Sequence, residues 1–177
     1  MLKLKSGVHL VSALICYSQH HVVLVSNIGR TLKFAVNDTV LPMMGRLAQG
    51  PIAMRLFPGE QVLGAVACNV QDDSTMLVAT DSGVLIRLAT GSIPSCQRGD
   101  LGAMPVCLGG QKLLHPERMV AVCRGSGMVG VETNQGRCCR LWVNQLPVST
   151  PKCPETKILP LRQGESLINL TPLVQEN

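Results

Sequence analysis

The stretch from His21 to Phe34 reads HVVLVSNIGRTLKF, and its pattern is that of a β-hairpin. A run of β-branched and aliphatic residues leads into Asn27, and Gly29 follows two positions later, before a second run that alternates in character. Glycine readily adopts the left-handed backbone conformation that tight hairpin turns require. The stretch therefore predicts two antiparallel strands joined by a tight turn.

The same hairpin phrase occurs twice more along the chain. TMLVATDSGVLIRL occupies residues 75–88 and MVGVETNQGRCCRL occupies residues 128–141, so Gly29, Gly83 and Gly136 are 54 and 53 residues apart. No segment has a capped helical period, and 11 prolines and 17 glycines recur too often for long helices. Repeats near 50 residues, each of about four strands, are typical of blades arranged around an axis. The sequence predicts an all-β, propeller-like repeat domain.

Two further anchors divide the 177 residues into repeat units. An apolar-proline pair follows each hairpin, and each unit ends with a closing phrase, at residues 56–62, 113–119 and 159–167. A related phrase at residues 4–11 indicates that the chain opens with the end of a unit. We predict the tail of a preceding blade followed by three blades, all in one repeat domain, with these boundaries: 1–18, 19–70, 71–124 and 125–177.

A matched row of basic residues accompanies the hairpins. The fourth residue after each turn glycine is Lys33, Arg87 or Arg140, and the pleat points it away from the third and fifth residues. We expect those neighbours to form the core (Leu32 and Phe34, Ile86 and Leu88, Cys139 and Leu141) and the basic row to face outward as a functional surface. The alternative is that exposed strand positions are often basic and that such residues protect sheet edges.

Composition limits the chemistry that the chain can perform. Aromatic residues make up 2%, which excludes a platform that stacks single-stranded bases, while a net charge of +5 permits a phosphate-backbone partner. The 8 cysteines contain no Cys-x-x-Cys pair and the 4 histidines lack zinc-ligand spacing, so we expect no metal and no cofactor. We find no catalytic motif and no apolar run long enough to cross a membrane. We therefore expect no enzyme activity of its own and no membrane association.

The first unit resembles one blade of the C-terminal domain of the DNA gyrase A subunit, or of the topoisomerase IV A subunit. The residues that carry the resemblance are IGRTLK at 28–33, GRLAQGPI at 45–52 and LFPGEQVLGAV at 56–66. The second unit repeats the phrase around Gly83, and the third is weaker because residues 151–157 lack the Gly-Arg phrase. The resemblance covers nearly the whole chain.

This resemblance implies a β-pinwheel, a ring of blades that binds and bends duplex DNA without sequence preference. Such a domain is a non-catalytic, accessory part of an ATP-dependent type IIA topoisomerase, whose intact subunit is an isomerase. Its implied partners are double-stranded DNA and the catalytic domain or another subunit of that enzyme, in the nucleoid of the bacterial cytoplasm. The implied DNA-binding residues are Lys33, Arg87, Arg140, Arg30, Arg46 and Arg137.

Two departures from the family pattern bear on function. The basic, glycine-rich box of gyrase is absent, since the nearest phrase is QRGDLG at residues 97–102. Three units are also fewer than the family's usual five or six, so the chain is either part of a longer subunit or a shortened stand-alone relative, and in the second case open blade edges would invite pairing into a homodimer. The alternative function is a stand-alone, propeller-like module that binds another protein and not DNA.

Overall fold

A computed structural model describes residues 4–45, 48–69, 74–104, 118–149 and 157–173. Within these ranges the regular structure is β-sheet, with short 3₁₀ turns at Thr90–Ser92 and Val143–Gln145 and no α-helix. The all-β prediction is therefore confirmed. The strands are β1 (His20–Ser26), β2 (Thr31–Ala35), β3 (Val62–Asn69), β4 (Thr75–Thr80), β5 (Val84–Ala89), β6 (Met119–Arg124), β7 (Met128–Thr133), β8 (Cys138–Trp142), β9 (Val148–Ser149), β10 (Lys157–Ile158) and β11 (Leu167–Leu173).

Each predicted hairpin forms and gains a third strand from the end of its own unit. The first blade has the strand order β2-β1-β3, the second β5-β4-β6 and the third β8-β7-β11, all antiparallel. The turn glycines Gly29, Gly83 and Gly136 have φ values of 85°, 84° and 76°. Most residues with a Cβ are strained in this region, so the glycine two positions after Asn or Asp permits the turn.

Each of the first two blades is extended by a segment of the following unit. Thr31 of β2 forms an antiparallel bridge with Ala103, and Lys33 forms a parallel bridge with Ser95. In the second blade, β5 pairs in the same manner with β9 (parallel) and β10 (antiparallel), both from the third unit. Because a blade borrows strands from its successor, neighbouring units are joined by backbone hydrogen bonds as well as by packing.

Two hydrophobic clusters lie between the blades, and a third, whose buried members include Leu32 and Phe34, lies within the first unit. One face of the second sheet, with Met76 and Ile86, packs against the first blade, and the opposite face, with Leu77 and Leu85, packs against the third. Burying an aliphatic side chain of this size stabilises the fold by about 1.5–3 kcal/mol. No blade can cover both of its faces alone, so the blades must stack.

The predicted core positions are confirmed with one exception. Leu32, Phe34, Ile86, Leu88 and Leu141 are buried. Cys139 was expected to be buried with them, and that prediction is wrong, because its side chain is exposed. It lies on β8, the outer strand of the third blade, where no segment of the described chain covers the edge.

The segment before β1 begins like the end of a unit but forms no strand. The Val8 N–H donates to Lys5 O at 3.1 Å across Gly7, whose φ is 79°, as at the closing turns of later units. Residues 8–15 are exposed, including Leu10 at 63% and Ile15 at 82%, whereas Cys16 packs against the cluster that contains Leu32 and Phe34. The assignment of this segment to a preceding blade, like the other unit boundaries, stays a prediction.

Candidate nucleic-acid interface

The basic row occupies one matched position on the second strand of each hairpin. Lys33 lies opposite Val23, Arg87 opposite Leu77 and Arg140 opposite Gly130 in the antiparallel registers. Directly opposed residues share a sheet face. Val23 packs against the second blade and Leu77 against the third, so the row lies on the face that each blade turns towards its successor.

Lys33 is half-buried where the first blade meets the second. Its ammonium Nζ donates to the carbonyl oxygen of Thr90 at 3.0 Å, at the start of the 3₁₀ turn of the next unit. Lys33 also lies beside His21, where burial, followed by the charge of this ammonium group, lowers the pKa of the imidazole. The side chain thus connects two blades.

Arg87 makes the corresponding contact between the second and third blades, with more bonds. Its Nε donates to Thr75 Oγ1 at 3.1 Å and to Gly125 O at 3.0 Å. Its Nη1 reaches the second 3₁₀ turn, at 3.1 Å from Leu146 O and 3.4 Å from Asn144 O. Hydrogen bonds from a charged donor are stronger than those from a neutral donor. The Arg87 guanidinium therefore holds the second and third blades together, and we call this set of contacts the inter-blade clasp.

Arg140 is the exposed member of the row. It lines a groove of about 450 Å³ on the free face of the third blade, together with Gly130, Glu132, Thr171 and Leu173. The expectation that all three row residues point into solvent is met at Arg140 and wrong for Lys33 and Arg87. The physical reason is that a blade's following face is covered by the next blade, and the third blade has no successor among the described residues.

Arg30 and Arg137, each directly after a turn glycine, form matching ion pairs with a glutamate of the closing phrase. Arg30 Nε donates to Glu60 Oε1 at 2.8 Å, and a second bond joins Nη2 to Oε2. Arg137 donates from Nε and Nη2 to the two oxygens of Glu165, both at 2.8 Å. Arg30 and Glu60 are buried, whereas about a third of the Arg137 side chain is exposed.

These pairs lower the pKa values of both carboxyl groups. Burial alone raises the pKa of Glu60, but hydrogen bonds from Arg30, Ser26 and the Phe57 N–H outweigh it and bring the pKa to about 2. At Glu165 the backbone N–H of Arg162 is the main cause, followed by Arg137, and the pKa is again about 2. Both carboxylates stay ionised at neutral pH, so the two arginines are already neutralised.

The two ion pairs also stabilise the closing loops, which carry Arg55 and Arg162. Arg30 Nη2 donates to Arg55 O at 2.9 Å, and its guanidinium carbon lies 4.2 Å from the centre of the Phe57 ring. The N–H of Arg162 donates to Glu165 at 2.8 Å, so the second pair sets the backbone that carries Arg162. Arg46, the remaining predicted contact, lies outside the described residues.

Three exposed arginines with unbonded guanidinium groups in the described ranges lie outside the predicted set. Arg118, Arg124 and Arg162 are exposed, and their guanidinium groups form no hydrogen bond within the described ranges. Arg118 and Arg162 belong to the closing phrases, where residues before the third strand of a blade turn through solvent. Their place in that turn is a sequence signal for exposure that the hairpin pattern does not contain.

The described surface carries exposed cations and no candidate metal site. No group of three or more His, Cys, Asp or Glu residues in the described ranges is arranged to hold a metal ion. No helix in the same ranges is long and apolar enough to cross a membrane. A guanidinium group matches the geometry of phosphate oxygens, so exposed arginines are chemically suited to phosphate contacts.

Comparison with known proteins confirms the family resemblance, although no family model matches the chain. The DNA gyrase A subunit of Mycobacterium leprae is 26% identical over 144 residues, which are 77% of this chain and 11% of the relative. The corresponding protein of Deinococcus deserti is 24% identical over 181 residues, or 99% of this chain and 22% of the relative. The chain therefore spans only about a tenth to a fifth of these curated relatives.

Solved structures confirm the fold as a β-pinwheel. The C-terminal domain of DNA topoisomerase IV matches with a TM-score of 0.73 and 17% identity, over 86% of this chain and 46% of that chain. The E. coli ParC C-terminal domain matches with a TM-score of 0.65 and 23% identity, over 97% of this chain and 70% of that one. The DNA gyrase A C-terminal domain matches with a TM-score of 0.52 and 10% identity, over 98% of this chain and 73% of that chain.

Proposed function

From its homology to the DNA gyrase A subunit and its β-pinwheel fold, we propose that this chain is a duplex-DNA-binding and bending module of a type IIA topoisomerase. The observation that carries the proposal is the fold match to the topoisomerase IV C-terminal domain over 86% of the chain. The module performs no catalysis itself. Its partners are double-stranded DNA and the catalytic part of an ATP-dependent topoisomerase, in the bacterial cytoplasm.

We assign a role in phosphate binding to each predicted cation, and where the structure describes the residue we base it on the solvent exposure of its side chain. Among the predicted residues, Arg140 is exposed and contacts phosphate directly, and we assign the same role to Arg46. Lys33 and Arg87 add positive potential from the blade junctions, where they also keep the blades in register. Arg30 and Arg137 contribute by holding the closing loops, one of which carries Arg162.

The exposed arginines outside the predicted set complete the proposed contact surface. Arg118, Arg124 and Arg162 lie on the second and third units, and their guanidinium groups form no hydrogen bond with the residues that the structure describes. Bending a site of 20–30 base pairs by 40–90° costs about 1–6 kcal/mol, and phosphate neutralisation on the inner side of the bend offsets it. Contacts of this kind read no bases, so binding is independent of sequence.

A charge-reversal series measured by fluorescence anisotropy tests this proposal. The triple variant Arg118→Glu, Arg140→Glu, Arg162→Glu is titrated with a labelled duplex at several salt concentrations. Each lost phosphate contact reduces the slope of log affinity against log salt by about 0.9, so we expect the slope to become shallower by about 2–3. The control carries lysine at the same three positions, which retains the charge and most of the slope. Equal slopes for all three proteins would refute these contacts.

The second candidate function, a protein-interaction module, is favoured by the free face of the third blade. That face carries the 450 Å³ groove and the exposed edge strand β8. Unlike DNA binding, recognition there relies on strand pairing and depends weakly on salt. Absence of duplex binding even at low salt, in a correctly folded protein, would favour this function over the first.

A further inference from the structure

We propose that a recess between the first and second blades binds one phosphate group, which Lys33 and His21 hold. The two walls of the recess come from neighbouring units, and the structure describes residues on both sides of this junction. The site uses none of the exposed arginines that contact duplex DNA in the proposed function. The phosphate belongs to a small molecule or to the backbone of a bound duplex, and in the second case the site rests on the proposed function.

The recess has a volume of about 270 Å³. The first blade contributes His21, Lys33 and Asn69 to its lining, and the second unit contributes Gly91 and Ser95. Gly91 and Ser95 are exposed, so they form the mouth, whereas His21 and Lys33 are half-buried. Since one water takes about 30 Å³, this volume accommodates a phosphate group together with ordered waters.

The described lining offers hydrogen-bond donors and no carboxylate. An ammonium group has donors only, and among the described residues Lys33 uses one of them, from Nζ to Thr90 O at 3.0 Å. The His21 imidazole forms no hydrogen bond with the described residues, and Ser95 adds a hydroxyl group. Donors around a positive charge bind an anion and repel a metal cation.

The shape of the recess suits a phosphate group in particular. Lys33 and His21 approach from the first blade and Ser95 approaches from the second. The oxygens of a phosphate group are arranged tetrahedrally and point towards both walls, whereas the two oxygens of a carboxylate lie in one plane. Lysine binds phosphate as a point charge through charge-assisted hydrogen bonds. A bound phosphate group therefore connects the two blades.

The electrostatics of His21 point to the same ligand. Burial, followed by the positive charge of Lys33, lowers the pKa of the His21 imidazole. The titratable groups that face it in the lining are Lys33 on β2 and Cys68 on β3, and the described lining from the second unit has none. An anion between the ammonium and the imidazole relieves this repulsion, so phosphate binding and protonation of His21 reinforce each other.

The corresponding place at the second junction is filled by the chain itself. Thr75 is the counterpart of His21, since each lies opposite the alanine that ends the second strand of its hairpin. Arg87 donates from Nε to Thr75 Oγ1 at 3.1 Å as part of the inter-blade clasp. Lys33 makes a single bond to the next unit and leaves the space beside His21 open. The first junction therefore has room for an anion where the second has a bonded guanidinium group.

NMR titration of the whole chain with inorganic phosphate tests the proposal. At pH 7 and constant ionic strength, we expect saturable shifts of the Gly91 amide and the His21 imidazole. Ser95→Glu places a carboxylate at the mouth and keeps the bond from Lys33 to Thr90, so it tests the site without breaking the junction. Lys33→Met removes the ammonium group. Each variant should bind phosphate at least about tenfold more weakly, which is the factor that one charge-assisted hydrogen bond accounts for.

Two matched controls separate this site from the general effect of charge. Ser6→Glu and Lys5→Met make similar changes in the exposed segment before β1 and should bind phosphate like the wild type. Sulfate, whose charge is constant between about pH 5 and 8, should raise the pKa of His21 in the wild type. The exposed imidazole of His9 is the internal control and should not respond.

Duplex DNA identifies the source of the phosphate group. If the group belongs to the duplex, DNA displaces inorganic phosphate, and Ser95→Glu makes the slope of log affinity against log salt shallower by about 0.9 compared with Ser6→Glu. If the group belongs to a small molecule, DNA and inorganic phosphate bind together and the two slopes are equal. Either result is consistent with the site.

The opposing outcomes are distinct from failure of the proposed function. The triple variant Arg118→Glu, Arg140→Glu, Arg162→Glu should bind inorganic phosphate like the wild type, so a protein that binds phosphate and no duplex contradicts the DNA proposal alone. Absence of saturable shifts at Gly91 and His21 up to about 0.1 M phosphate overturns the phosphate site. Equal phosphate affinity in the wild type, Ser95→Glu and Lys33→Met also overturns it.

Discussion

Replacing Arg87 with methionine removes the clasp between the second and third blades while keeping most of the aliphatic stem. The guanidinium donates three bonds of 3.0–3.1 Å, to Thr75 Oγ1, Gly125 O and Leu146 O, and a longer one to Asn144 O. Hydrogen bonds from a charged donor are each worth about 1.5–3 kcal/mol. They share one group and are not additive, so we expect a loss of about 3 kcal/mol in the free energy of unfolding.

Arg140→Met is the matched control for this experiment. It makes the same chemical change at the same register position, where no following unit is contacted by the described chain. A surface substitution of this kind changes stability by less than about 0.5 kcal/mol. Urea unfolding followed by circular dichroism measures both variants under conditions where the protein is monomeric.

The expected difference is large enough to be decisive. For a chain of this length, 3 kcal/mol corresponds to a decrease in Tm of about 6–12 °C. The Arg87 variant should also unfold less cooperatively, because stability in repeat proteins depends on the interfaces between neighbouring units. Equal stability losses at Arg87 and Arg140, or none at either, would refute the assignment of Arg87 as an inter-blade clasp.

Two further predictions concern the ion pairs and a glycine at a blade junction. The pKa of Glu60 and of Glu165 is lowered from 4.5 to about 2, so their stabilisation is complete above pH 4.5 and is lost as the pH falls through about 2. The double variant Glu60→Gln, Glu165→Gln should be less stable at pH 7 and show a shallower loss of stability between pH 5 and 2 in urea titrations. An unchanged acid profile would contradict this. Gly102 has a φ of 75°, and a Cβ there would collide with the Thr31 carbonyl oxygen. Gly102→Ala should therefore cost more than the roughly 1–2 kcal/mol of backbone strain that is expected of Gly127→Ala, where φ is 79° and no atom lies within 4 Å. Equal losses of stability for Gly102→Ala and Gly127→Ala in thermal unfolding would show that the blade junction accommodates the added Cβ at no energetic cost.

The hairpins, their turns and the repeat were predictable because they depend on local sequence. Gly29 and its two counterparts adopt the positive φ that the turn requires, and alternation on the second strand correctly assigned residues such as Leu32 and Ile86 to the core. These features repeat three times, and the repetition makes each one easier to recognise. The β-pinwheel was predictable only through resemblance to a known family.

The exchange of strands between units was not predictable from local patterns. Ser95 and β9 add to the preceding blade, and no alternation within residues 94–104 or 147–158 specifies which sheet they join. For the same reason the basic row was expected to face outward. Strand alternation shows that Lys33 and Arg87 project from the sheet face opposite to that of their sequence neighbours. Only the stacked structure shows that this face packs against the next blade.

The paired glutamates illustrate a second limit of sequence reasoning. The resemblance implies that Arg30 and Arg137 contact DNA, because they are basic and lie beside the row. Their partners Glu60 and Glu165 are 30 and 28 residues away, in the closing phrases. Only the fold brings these positions together, which converts two apparent surface cations into neutralised structural pairs.

DNA bending is tested most directly by sealing a nicked plasmid with ligase in the presence of the protein. A module that curves duplex DNA around a basic, bladed surface traps writhe, which ligation converts into a change in linking number. We expect the topoisomer distribution after protein removal to shift progressively with protein concentration, and the triple variant Arg118→Glu, Arg140→Glu, Arg162→Glu to give a smaller shift. A distribution identical to that of the protein-free control, at protein concentrations that saturate the plasmid, would contradict the proposed function.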